Sequence, residues 1–205
     1  MKLKHTSLAI AFIVLFSSVG TPQTPATNQD RGTPDFRVQV WGSIMADFSA
    51  RVWSYSELRN KLENGLPPLT VTDDPAEIRR AVHALAERIR VARAGAQQGE
   101  IFSTTISVEF RRVLLIEMNA NTWAAIMDDK PGEFSNQING TYPEERPLST
   151  VPPNALAVLP RLPDDIQYRF VGRHLILLDT RAGVILDWIP YAIKCADCDK
   201  VTCRR

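Results

Sequence analysis

Histidine and cysteine are scarce in this chain, and neither sign of charge prevails. The 205 residues hold three histidines, His5, His83 and His174. A zinc hydrolase built on several imidazoles is therefore not expected. No G-x-x-x-x-G-K-S/T loop and no G-x-G-x-x-G occur, so no backbone cradle for a nucleotide is predicted. A G-x-S-x-G nucleophile elbow and an H-E-x-x-H zinc helix are missing too. Lysine and arginine number 24 against 23 acidic residues. That balance lacks the clustered basic surface of a nucleic-acid binder. No cofactor is implied.

Long apolar runs are equally few. After the N-terminus no stretch reaches the 18 or so apolar residues of a membrane-spanning helix. The first residues have a different character. Lys2 and Lys4 precede an apolar run from Leu8 to Phe16, and Ser18-Val19-Gly20 suits small-residue cleavage. This reads as a secretory signal peptide over residues 1–20, with a retained anchor as the other reading. Without Lys2 and Lys4 the balance is 22 against 23, a net charge of −1. Residues 21–35 are rich in Pro, Thr, Gln and Asn, with little to bury, and read as a flexible spacer. The rest of the chain is long enough for a single domain with a real core, expected over residues 36–190.

The body reads as α+β, mainly α: antiparallel helices packed with a C-terminal β-hairpin. Between Val38 and Glu63, apolar residues recur at Trp41, Ile44, Met45, Phe48, Val52, Tyr55, Leu58 and Leu62. Steps of three and four mark one face of a helix. Gly65 and Pro67-Pro68 stop it. The second helix opens on Asp74 as N-cap and Pro75 at the first position, and Glu77 can close a capping box. Ile78, Val82, Leu85, Ile89, Ala92 and Ala96 form its seam, and Gly99 ends it. A third helix begins after Ser103, with Ile106, Phe110, Val113, Leu114 and Glu117 on one side. A short fourth helix over 122–128 is expected to turn Trp123 and Met127 inward. Residues 129–154 carry five prolines and read as a long loop, in which Asn139-Gly140-Thr141 matches a glycosylation sequon.

From Gln167 the pattern changes to alternation. Residues 167–189 read as one β-hairpin turning at Thr180–Gly183. A four-residue loop sets Asp179 opposite Val184, Leu177 opposite Leu186 and Leu175 opposite Trp188 on one face. The other face then pairs Leu178 with Ile185, Ile176 with Asp187 and His174 with Ile189. On this count His174 lies diagonal to Asp187, near enough for a side-chain contact, and Arg173 leaves on the opposite face. A His–Asp pair can be half of a catalytic or metal site. A histidine oriented by a single structural bond satisfies the same pattern, and a one-residue slip parts the pair.

Arg79, Arg80, Arg88, Arg90 and Arg93 line the outer face of the second helix. Arg79, Arg80 and Arg88, with Arg173, are candidate contacts for an anionic component or an acidic partner. A solvated helix face is the plainer reading. The paired acids at Asp73-Asp74 and Asp164-Asp165 read as a cap and a turn.

The segments LPPLTVTDDPAEIR, GEIFS and PRLPDDIQYRFVGRHLILLD resemble an uncharacterised family of secreted bacterial proteins. The resemblance spans about 45–190 and implies an exported, α-rich protein, periplasmic or extracellular, with no activity attached. In that pattern the chain ends soon after the hairpin, so a cysteine tail departs from it.

All three cysteines, Cys195, Cys198 and Cys203, fall in a tail over residues 191–205. Cys195-x-x-Cys198 has redox and zinc spacing, but it lacks the strand-to-helix setting that activates a thiol. Asp199 stands where a c-type haem motif has histidine. A disulfide with one spare thiol is the plainest expectation after export. A metal held by the three thiolates and an aspartate is the alternative. Three functions are expected on these grounds. The leading one is a non-enzymatic binding module for an envelope protein or an anionic component. The others are a small hydrolase using His174 and Asp187, and a thiol or metal function in the tail.

Overall fold

The computed structural model describes residues 36–67, 72–128, 137–142 and 151–194. The expected signal peptide, the spacer, most of the proline-rich loop and the three cysteines lie outside these residues. Among the described residues five helices precede three strands: α1 (Phe36–Asn64), α2 (Pro75–Ala92), α3 (Thr104–Glu117), α4 (Ala120–Asp128), α5 (Pro153–Val158), β1 (Ile166–Val171), β2 (His174–Asp179) and β3 (Val184–Ile189). The α+β character, mainly α, matches the sequence reading. No helix of the described residues is long and apolar enough to cross a membrane.

Local signals account for the helix starts. Asp74 caps α2 by accepting from the Ala76 N–H at 2.9 Å, with Pro75 at the first position, where no N–H is needed. The capping box does not close as expected. The Asp74 N–H instead donates to Thr72 Oγ1 at 3.2 Å. Ser103 caps α3 through its hydroxyl oxygen. Asn119 caps α4, accepting from the Thr122 N–H at 2.9 Å and its hydroxyl at 3.1 Å. The cap rotates α4 away from expectation. Thr122 and Ile126 are buried, while Trp123 is half-buried and Met127 is exposed. The seam of α2 is likewise shorter than its pattern. Leu85, Ala86 and Ile89 are buried, whereas Ile78 is exposed, and the helix stops at Ala92 rather than Gly99.

The predicted single hairpin is a three-stranded antiparallel sheet in the order β1-β2-β3. The stretch read as one long strand folds back at Gly172-Arg173, which separates the paired Val171 and His174. Gly172 takes φ +55°, a conformation that costs glycine nothing. Between β2 and β3 the first two pairs match expectation, Asp179 with Val184 and Leu178 with Ile185. A β-bulge then intervenes, and Leu177 pairs with Asp187, Ile176 with Trp188 and Leu175 with Ile189. The extra residue reverses every later side chain on β3. The far edge of β3 is not bare. The Asn139 N–H donates to Ile185 O at 2.8 Å, and the Tyr142 N–H donates to Gly183 O at 2.8 Å.

One hydrophobic cluster joins α1, α2, α3 and one face of the sheet, with Leu175, Leu177, Val184, Leu186 and Ile189 supplying the sheet side. At its centre the rings of Phe48, Phe102 and Phe110 meet at 5.0–5.5 Å between centroids. Burying each phenyl group contributes roughly 1.5–3 kcal/mol. The other face of the sheet has its own cluster of Val171, Ile176, Leu178, Ile185, Trp188 and Tyr142.

Candidate functional site

The bulge takes His174 and Asp187 apart. His174 shares its face with Ile176 and Leu178, the side of the second cluster. Asp187 turns to the helix side and is fully buried. Its carboxylate accepts from the N–H groups of Ile101 and Phe102, both at 2.8 Å, and of Gly99 at 3.0 Å. The Trp188 N–H adds a fourth bond at 2.8 Å. Gly99 sits at φ +90°, which lets the loop curl around the carboxylate. Asp187 is thus occupied in holding the α2–α3 connection, and the expected His–Asp diagonal does not form.

His174 is half-buried against other partners. Its ring lies 5.6 Å from that of Trp188 and 5.1 Å from that of Tyr191. Nδ1 accepts from the Tyr191 N–H at 3.4 Å. Burial, with the Arg173 charge adding to it, holds its pKa below the ordinary histidine value.

The arginine face of α2 divides. Arg79 and Arg80 are exposed, with Arg80 3.8 Å from Glu77. Arg88 donates to Leu62 O at 3.1 Å and ties α2 to the end of α1. Arg90 and Arg93 are not on the solvated face that the sequence suggested. Arg90 donates to Asn139 O at 3.1 Å. Arg93 is buried, donating to Asn139 Oδ1 at 3.0 Å and Leu186 O at 3.2 Å, and its guanidinium lies 5.3 Å from the centre of the Tyr55 ring. The Asn139 amide donates in return to Arg93 O at 2.7 Å. With both amide atoms engaged, the sequon asparagine is a structural residue of the fold. Arg173 stands apart from this group, its guanidinium 4.6 Å from the Tyr191 ring centre.

A buried polar centre was not singled out from the sequence. The Tyr55 hydroxyl donates to Asp179 Oδ2 at 2.7 Å, and Asp179 is fully buried. Asp179 Oδ1 accepts from the N–H groups of Arg181 and Ala182, each at 3.0 Å, and so shapes the β2–β3 turn. Arg59 approaches Asp179 to 4.0 Å and donates to Asp165 at 3.2 Å. Burial pushes the Asp179 pKa up, and the Tyr55 hydroxyl and backbone donors oppose that rise. The signal was present on α1, where Arg59 continues the buried steps Phe48, Val52 and Tyr55. Arg93 continues Leu85 and Ile89 on α2 in the same way.

Tyr55 and Arg93 also line an open cleft of about 840 Å³ between α1 and the end of α2 with the loop beyond it. Small residues keep it open: Ala50 and Ser54 on α1, Ala92, Gly95 and Ala96 opposite. Both signs of charge border it, with Asp47, Glu57 and Glu100 against Arg51 and Lys61. Arg51, which lines it from α1, donates to Glu100 O at 2.7 Å. Family models, characterised proteins and solved structures give no match to this chain. Among the described residues no group of three or more His, Cys, Asp or Glu side chains could hold a metal ion.

Proposed function

We propose that this chain is an exported, non-enzymatic binding module of the cell envelope, holding a segment of an envelope protein in the cleft between α1 and the α2–α3 connection. The cleft carries the reading. Its volume of about 840 Å³ lies in the range of ligand sites, its small side chains admit close approach of a backbone, and its mixed charges suit a mixed-charge polypeptide. The fate of Asp187 removes the motive for a hydrolase built on His174 and Asp187. A carboxylate held by four backbone donors has no lone pair to spare as a general base.

The test is site-specific photo-crosslinking in intact cells. A crosslinker at Ser54 is expected to give a discrete adduct, and Ala50→Trp, which fills the cleft, is expected to remove it. The same crosslinker at Arg79, outside the cleft lining, is expected to give none. Equal adducts at both positions, or no adduct at Ser54, would overturn the proposal. Turnover of an envelope substrate that is lost with His174→Gln would reinstate the hydrolase.

A further inference from the structure

Tyr191 lies just past the end of β3 with φ +48°, a left-handed conformation that a bulky aromatic residue rarely adopts. Such a conformation persists where neighbouring contacts over-determine it, and these cluster at ligand sites. The contacts here are specific. The Tyr191 N–H donates to His174 Nδ1, the His174 ring lies against the phenol, and Arg173 covers the ring. Arg111 on α3 donates to Pro190 O at 2.9 Å, and the Ile193 N–H donates to Arg173 O at 3.4 Å. Two turns and a helix therefore converge on one corner, yet Tyr191 remains 58% exposed.

Arg173 differs from several other arginines of the fold in what it lacks. Arg51, Arg59, Arg93 and Arg181 each lie on a carboxylate. Among the described residues no carboxylate lies within ion-pairing distance of Arg173. A guanidinium over a ring spends no N–H donor on that contact. The group is half-buried, positioned and left with its planar fork of donors, the geometry that receives a carboxylate through two parallel bonds. The His174 ring walls one side and adds no carboxylate.

We propose that this corner, Arg173 held on Tyr191 with Arg111 behind it, is a recognition site for a carboxylate side chain in an acidic peptide segment. A membrane surface fits less well, because anionic lipids are gathered by clusters of four to eight basic residues, whereas one oriented fork is built for one planar anion. The site is separate from the cleft and does not depend on a ligand being there.

Fluorescence anisotropy with a labelled tetraglutamate peptide and the full chain tests this. Arg173→Gln is expected to weaken binding about tenfold, the effect of losing one charge-assisted bidentate contact. Arg173→Lys keeps the charge and loses the fork, so it is expected to weaken binding about fivefold. Tyr191→Phe keeps the ring and is expected to stay within about twofold of the parent. The double variant Arg79→Gln/Arg80→Gln, which removes two exposed charges elsewhere, and Ala50→Trp in the cleft are expected to change nothing. The proposal is overturned if the parent chain does not bind the peptide. It is equally overturned if Arg173→Lys binds as well as the parent, or if the Arg79/Arg80 variant loses as much as Arg173→Gln. Displacement of the peptide by inorganic phosphate at equal concentration would make this a phosphate site. Capture by phosphatidylglycerol vesicles without peptide binding would make it a lipid contact.

Discussion

Asp187 has no exposed surface, and four backbone N–H groups point at its carboxylate. Asn in its place keeps the shape but turns an NH₂ group toward donors. Asp187→Asn is expected to destabilise the fold by about 3 kcal/mol, read as a lower urea midpoint with an unchanged slope. His174→Gln alters a half-exposed group and is expected to cost under about 1 kcal/mol. Equal losses would mean that Asp187 does not anchor the loop. Both residues were visible in the sequence as polar groups on a strand, but their partners were not. Their faces depended on a bulge at Leu186, and nothing in the local alternation of VILDWI marks where an extra residue enters. Arg59 and Arg93 teach the opposite lesson. Each sits in step with an apolar stripe and is buried, yet the sequence reading passed over Arg59 and placed Arg93 on the solvated face.

The helices α2 and α3 began where their caps said they would, whereas α4 opens at Ala120 rather than at residue 122 and α5 rises unforeseen at the end of the expected loop. Asp74, Ser103 and Asn119 each cap a helix by accepting from an N–H two or three residues on. Among the ends, α1 stops at Asn64, just before Gly65 as expected, whereas α2 stops at Ala92, well short of Gly99. At the start of α2 the Asp74 carboxylate makes the capping bond, and its N–H is served by Thr72 rather than Glu77. Asp74→Ala is accordingly expected to cost about 1 kcal/mol, and Glu77→Ala less than about 0.5 kcal/mol. Thermal unfolding monitored by circular dichroism compares them, and a closed capping box would make the two losses similar. In the sheet, Gly172 was the available sign that the long strand folds back. Alternation on both sides of it concealed the break.

Across the molecule, α1 is bound to the sheet through Tyr55 and Asp179, and Tyr168 on β1 packs near the phenyl rings of the core. Burial raises the pKa of both tyrosines above the ordinary value of 10.0, and for Tyr55 the Asp179 charge adds to the effect. The neutral form is favoured in the fold. The stability these phenols contribute is therefore complete below about pH 10 and is lost as pH rises toward their folded values. In an alkaline titration, phenolate absorbance from Tyr55 and Tyr168 is expected to appear only with loss of the near-ultraviolet circular dichroism. Tyr55→Phe should leave the signal of one tyrosine in that transition. A phenolate signal complete before the dichroism changes would refute the burial argument. The sequence by itself determined the mainly α character, the starts of α2 and α3, the apolar faces of α1 and α3, and the presence of strands after Gln167. Each of these rests on interactions within a turn or two of chain, where residue type and spacing suffice. Only the tertiary structure decided which carboxylates are occupied, where the cleft opens and that Arg173 stands beside Tyr191 with no acid next to it among the described residues. Tyr55 and Asp179 are 124 residues apart, and Gly99 and Asp187 are 88 apart. The partner of a buried charge is chosen by whichever distant segment packing brings to it, and periodicity carries no record of that choice.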